Sequence, residues 1–185
     1  QAILPLIEQG FTETGIQASD LTAIAFSRGP GSFSGVRINA AVTQALAWAN
    51  DTPVIAISTL QALAQAAYRI AALTQVTAVL DARMKEVYLA NFVLDDNGIM
   101  QAQDAEQMLN YEDAAQATKF QPIGSGATLV QADAIEFKNI TATAQDIATL
   151  ARECAKVQDW VSAELALPVY LRDNAWKKIS EQGKA

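Results

Sequence analysis

The side chains of this chain best placed to do chemistry fall between Arg28 and Arg37: two arginines, the glycines at 29, 31 and 35, and Ser32 and Ser34. An apolar run precedes them and an alanine-rich helical pattern follows. Strand, glycine turn and helix start is an arrangement that holds phosphate, through backbone N–H groups and a helix N-terminus. A Walker loop needs Lys and Ser or Thr directly after its last glycine, whereas Gly35 is followed by Val36 and Arg37. A dinucleotide fingerprint needs G-x-G-x-x-G and an acid about 20 residues on. Here the spacing is G-x-G-x-x-x-G, and the next strand ends at Ser58. Two uses of the loop stay open: a looser phosphate site assisted by Arg28 or Arg37, and a purely conformational turn in which glycines supply φ > 0. The chemistry alone favours the turn.

The sequence contains no histidine, which removes Ser-His and Cys-His nucleophile systems and His-bearing metal sites. Cys154 is alone and reads as a helical thiol in a reducing compartment. Asp81, Arg83 and Glu86 sit at a hairpin turn, where acid–base work needs a cleft and a solvated turn is the plainer reading. Ser32 or Ser34 with Lys85 is the one nucleophile–base arrangement that can be written. Lys177, Lys178 and Lys184 beside Trp176 could touch RNA by charge and stacking, although a frayed C-terminus is the commoner meaning of such a run. A net charge of −7 lacks the global basic footprint of a nucleic-acid binder.

These residues need elements to position them. The 185 residues suit one large or two small domains, and half of them are hydrophobic. No apolar run reaches the roughly 18 residues of a membrane span, and the first residues lack a basic signal-peptide region, so a cytoplasmic protein is expected. The chain opens on Gln inside an apolar period, which suggests residues missing upstream. The spacing predicts a helix over 2–11, a strand over 21–26, a helix over 36–50, the strand VIAIS at 54–58, and a helix over 60–70 capped by Ser58 or Thr59. Apolar strands separated by helices imply a parallel sheet covered on both faces. After a boundary near 74–77 the pattern changes to a hairpin turning near Arg83 to Lys85. A turn at Asp96-Asn97-Gly98, a third strand over 99–102, a helix over 111–118, a strand before the glycine turn at 124–126 and a helix over 144–157 follow.

The helix after the glycine loop has two apolar faces at 100° per residue. Ile38, Val42, Ala45, Leu46 and Ala49 form a wide one, expected to cover the sheet. Val36, Ala40 and Ala47, with Thr43, form a narrow stripe of small residues, and Arg37 and Gln44 lie between the two with Trp48 beside them. The narrow stripe is expected to face outward and receive a second helix, with Ile3, Leu6 and Ile7 filling it. A homodimer through residues 1–14 and 35–50 is therefore expected, since two-fold pairing is the commonest closed solution.

The runs SRGPGSFSGVR, VIAISTLQALA, LDARMKEVYLA and PVYLR closely resemble the bacterial TsaB family, also called YeaZ, in the family's order along nearly the whole chain. The resemblance implies an α/β, actin-like and sugar-kinase-like fold of two related subdomains, 1–75 and 76–185, with the first strand hairpin missing from this chain. It implies a non-catalytic scaffold or activator in the formation of threonylcarbamoyladenosine on tRNA. The partners it implies are the catalytic paralogue TsaD, the ATPase TsaE and a second copy, with tRNA met only through the complex, no membrane and no cofactor. Gly29, Gly31, Ser32 and Gly35, together with Asp81, become remnants of phosphate loops. The run Asp81-Ala82-Arg83 lacks the glycine that nucleotide-binding relatives carry next to the acid. A nucleotide hydrolase or peptidase of the same superfamily is the alternative.

Overall fold

The computed structural model describes residues 3–171; the lysines at 177, 178 and 184 and Trp176 lie outside them. Helix α1 spans Ile3–Thr14, strand β1 Ile24–Gly29, helix α2 Phe33–Ala49, strand β2 Val54–Ser58 and helix α3 Thr59–Ala71. β1 and β2 pair in parallel as a two-stranded sheet. Successive β2 residues serve opposite faces. Val54 packs with Phe26, Ala40 and Ala47 on the α2 side, while Ile55 and Ile57 pack with Ala62 on the other. This double burial is why the strand reads as a continuous apolar run.

The second half is built on a long hairpin, β3 (Gln75–Arg83) and β4 (Glu86–Leu94), extended by β5 (Met100–Ala102), β6 (Gln107–Asn110) and β7 (Gln121–Ile123). Helices α4 (Tyr111–Ala117) and α5 (Ala127–Val130) cover one face through Val79, Val87, Leu89 and Ala114. Helix α3 covers the other with Leu60, Leu63 and Ala67 against Val76, Ala78 and Phe92. Helix α6 (Ala144–Lys156) closes the first sheet with Leu150 and Ala151 on Ile55 and Ile57. It is locked to α3 by Asp146, 1% exposed, whose two carboxylate oxygens accept from Arg69 Nε and Nη2 at 2.8 Å each. Gly124 shows why the second glycine turn is glycine: at φ +92 an added Cβ would stand 2.6 Å from both Leu63 Cδ2 and Val79 O.

Several expectations need correction. β1 starts three residues later than expected and runs into the glycine loop. α2 starts at Phe33 rather than 36, because Ser32 is its N-cap and accepts from Gly35 N at 3.2 Å. β6 and α5 were not expected.

The largest correction concerns the two faces of α2, which are exchanged. Val36, Ala40, Thr43 and Ala47 are its buried residues, and Ala47 is fully enclosed. Ile38, from the wide face, is 50% exposed. Small side chains let the helix lie close on β1 and β2 and on Ala166, so the narrow stripe is intrachain core and the bulkier face looks outward.

Candidate functional site

Two surfaces gather the residues singled out by the sequence. The first is the outward side of α1 and α2. No residue of α1 is buried; Leu6 is 62% exposed, and Ile3 and Ile7 are half-buried. Ile3 lines a shallow cavity with Gly31, Val36, Ile38 and Asn39, which places the start of α1 against the first turns of α2. Ile3 and Ile38 thus share one outward area, while Ala40, Thr43 and Ala47 are buried in the chain's own core and Val36, also buried, lies at the edge of that cavity. Arg37 and Gln44 sit on the flank of α2 that faces the segment around residues 163–170.

The second surface is a cavity of about 450 Å³ between the glycine loop and the β3–β4 hairpin. Gly31, Ser32, Asp81, Arg83 and Ser125 line it, so the structure does bring both expected loop remnants together. Their polar groups are already engaged. Ser32 Oγ caps α2, Arg83 N donates to Asp81 Oδ1 at 2.8 Å, and Arg83 Nη1 pairs with Asp81 Oδ2 at 3.3 Å. Asp81 N donates to Ser125 Oγ at 3.1 Å. Ser34 and Lys85 are exposed and neither lines this cavity, so the written Ser–Lys pair is not assembled. Glu86 is in β4, paired in register with Arg83 and Asn110.

At the base of the loop lies a network that sequence reasoning missed. Arg28, considered above as a phosphate ligand, is paired instead with Glu106 through Nη1–Oε2 at 3.1 Å and Nη2–Oε1 at 3.3 Å. Ser58, the N-cap of α3, donates to the same carboxylate while accepting from Leu60 N and Gln61 N. Glu106 lies in a polar loop with no periodic signal, so nothing in the sequence marked it. Gly29, at φ +101, ends β1, and Val169 N donates to Arg28 O at 2.8 Å.

A family model described as "TsaD: tRNA N6-adenosine threonylcarbamoyltransferase" matches residues 1–179. The chain is 37% identical over 195 residues to the tRNA threonylcarbamoyladenosine biosynthesis protein TsaB of Escherichia coli K12, covering 97% of this chain and 83% of that protein. The chain belongs to the TsaB (YeaZ) family. The Haemophilus influenzae TsaB is 47% identical over 91 residues, 49% of this chain and 39% of that protein. A crystal structure titled as a Pseudomonas aeruginosa protein with similarity to peptidase YeaZ superimposes with a TM-score of 0.84 at 38% identity, over 93% of this chain and 83% of that one. The mixed α/β, actin-like fold expected from the TsaB resemblance is thereby shown. Among the described residues no helix is long and apolar enough to cross a membrane.

Proposed function

We propose that this chain is a non-catalytic scaffold and activator subunit in the formation of threonylcarbamoyladenosine on tRNA, holding the catalytic paralogue TsaD and the ATPase TsaE in the cytoplasm. The observation that carries the reading is the outward apolar side of α1 and α2: a 12-residue helix with no buried residue beside a 17-residue helix whose bulkier face leaves Ile38 half exposed and Val42 and Leu46 only partly covered. Apolar faces left without intrachain cover mark protein contacts. Support comes from the missing histidines and from a glycine loop whose nearby cations, Arg28 and Arg83, already serve carboxylates. A second copy would use the same side with two-fold symmetry and compete with TsaD. Residues 1–75 and 76–185 are taken as the two subdomains, the first containing the β1–β2 sheet and the second the β3–β7 sheet, with α3 and α6 crossing over to pack on the other's sheet; β1 has no second strand partner among the described residues, the edge where the resemblance places a preceding hairpin. The test is co-purification with TsaD and TsaE. Capture of TsaD by the wild type and its loss in Ile38→Glu is the expected result; equal capture by both refutes the surface.

The cavity that joins Gly31 and Ser32 to Asp81 favours one other reading, a nucleotide hydrolase. Its signature is ATP turnover by the isolated chain that disappears in Asp81→Asn.

A further inference from the structure

The flank of α2 carries a side-chain stack that the scaffold role does not use. The Arg37 guanidinium lies 3.7 Å from the Phe33 ring centroid, and its Nε donates to the Tyr170 hydroxyl at 3.0 Å. The Phe33 and Tyr170 rings are tilted by 44° with centroids 6.0 Å apart. Two contacts therefore hold the guanidinium: the Phe33 ring beneath its carbon and the Tyr170 hydroxyl accepting at Nε. Its Nη atoms make no hydrogen bond to the described residues. Phe33 is 44% and Tyr170 46% exposed, and Arg37 is exposed as well.

An arginine held over an aromatic ring, with its Nη donors turned to no acceptor among the described residues, suits a phosphate or a stacked base; exposed rings beside it suit unpaired bases. Duplex nucleic acid hides the base faces that such rings would take. Carboxylates limit the surface at both ends. Asp81 lies near Phe33 across the cavity but is held by Arg83. At the far end of α2, Asp51 and Glu164 line a cavity with Trp48 and Trp160 and would repel phosphate there. The favourable part is thus the first two turns of α2.

We propose that Phe33, Arg37 and Tyr170 form a platform for an unpaired nucleotide of single-stranded RNA, with a base stacked on the rings or guanidinium and a backbone phosphate on the Arg37 Nη groups. The inference rests on the tRNA-related role proposed above for its choice of RNA, but its test reads RNA crosslinking by the chain alone, with TsaD capture only as a control and no modification activity. A carboxylate of a protein partner is the competing occupant.

The experiment is photo-crosslinking of the full chain to a single-stranded RNA heptamer containing 4-thiouridine, with the crosslinked peptides mapped by mass spectrometry. Adducts on the peptides holding Phe33 and Tyr170 are expected. Phe33→Ala and Arg37→Glu should each lower the yield about fivefold or more, the lower bound for losing one stacked base. Arg37→Lys should lose most of the yield too, since an ammonium cannot stack or fork. Annealing the RNA into a duplex should remove the adducts. Because all three side chains are substantially exposed, each variant should melt as the wild type does, and Tyr170→Ser serves as a further variant. Adducts mapping elsewhere, an undiminished yield in Arg37→Lys, or equal yield from duplex RNA would each overturn the platform. So would an Arg37→Glu protein that crosslinks normally but no longer captures TsaD, because Arg37 would then be a protein-contact residue. Loss of TsaD capture in Ile38→Glu with crosslinking intact keeps the two surfaces distinct and supports the platform.

Discussion

The exchanged faces of α2 turn one pair of substitutions into a sharp experiment. Ala47 is fully enclosed against Phe26, Val54 and Ala166. Ala47→Glu adds volume to a packed site, about 1–3 kcal/mol, and strands a carboxylate there, about 3–5 kcal/mol. The sum, roughly 4–8 kcal/mol, takes most of the 5–15 kcal/mol that holds a domain together. Ala47→Glu should therefore yield little soluble protein and no cooperative melt. Ile38 is half exposed, and a glutamate there stays in water in the free chain, so folding should change by under about 0.5 kcal/mol. In a dimer or TsaD complex the same carboxylate would be buried unpaired, at about 3–5 kcal/mol. That weakens the contact by roughly two to three and a half powers of ten. The assay is circular dichroism melting followed by sedimentation velocity. A folded, monomeric Ala47→Glu, or a folded and still dimeric Ile38→Glu, would refute the assignment of faces.

Four other outcomes can be measured. Asp146→Ala should cost about 3 kcal/mol, near the lower end for breaking a buried pair because a third of the Arg69 side chain stays in water, read as a lower melting temperature. Burial pushes the Asp146 carboxyl up, yet Arg69 and the Thr143 backbone N–H together hold it below the ordinary range, and Asp104 behaves alike through Asn91 and Lys119. With folded values below unfolded ones, their stabilisation is present above about pH 4 and lost as pH falls further, so acid unfolding should move to higher pH in Asp146→Ala. The isolated chain should bind tRNA no tighter than about 10⁻⁴ M at physiological salt, and should turn over ATP or peptides at less than about 1 per second, as filter binding and coupled assays will show.

Elements whose side chains obey one rule were legible from sequence. VIAIS is apolar because four of its five residues are buried, Val54 on the α2 side and Ile55 and Ile57 on the other, and Asp96-Asn97-Gly98 marks a turn through Gly98 at φ +77. Ser58 caps α3 as its position suggested. The start of α2 was hidden because Ser32 to Gly35 reads as loop: glycine is a poor helix former, yet here it sits where the cap hydroxyl meets its N–H. The faces of α2 run against apolar bulk because closeness decides them: a helix lying tight on two strands selects alanine on the inside. The cavity joining residues 31–33 to 81–83 is a meeting of distant segments, and the Phe33–Arg37–Tyr170 stack spans 133 positions between Arg37 and Tyr170. No local period can report either one.

The glycine loop can be tested for a conformational role against a phosphate-holding one. A phosphate needs unspent N–H donors, but Gly35 N and Val36 N both go to Ser32, at 3.2 and 3.0 Å, and Arg28 goes to Glu106. An incoming anion would also meet the Asp81 carboxylate across the cavity. The conformational role has a visible requirement instead. Gly29 has φ +101, and a Cβ there would stand 3.0 Å from Val169 O, beside the Val169 N to Arg28 O bond. Gly29→Ala should cost about 1–3 kcal/mol of backbone strain, a drop of about 2–12 °C at roughly 2–4 °C per kcal/mol. Gly31→Ala is the control: it carries no positive φ, and its Cβ would touch only Val36 Cγ1 at 3.4 Å, so its melt should stay near that of the wild type. Both should be insensitive to inorganic phosphate, because Gly35 N, Val36 N and Arg28 are already engaged. A phosphate-dependent rise in the wild-type melting temperature that Gly31→Ala abolishes would return the loop to the phosphate-holding class.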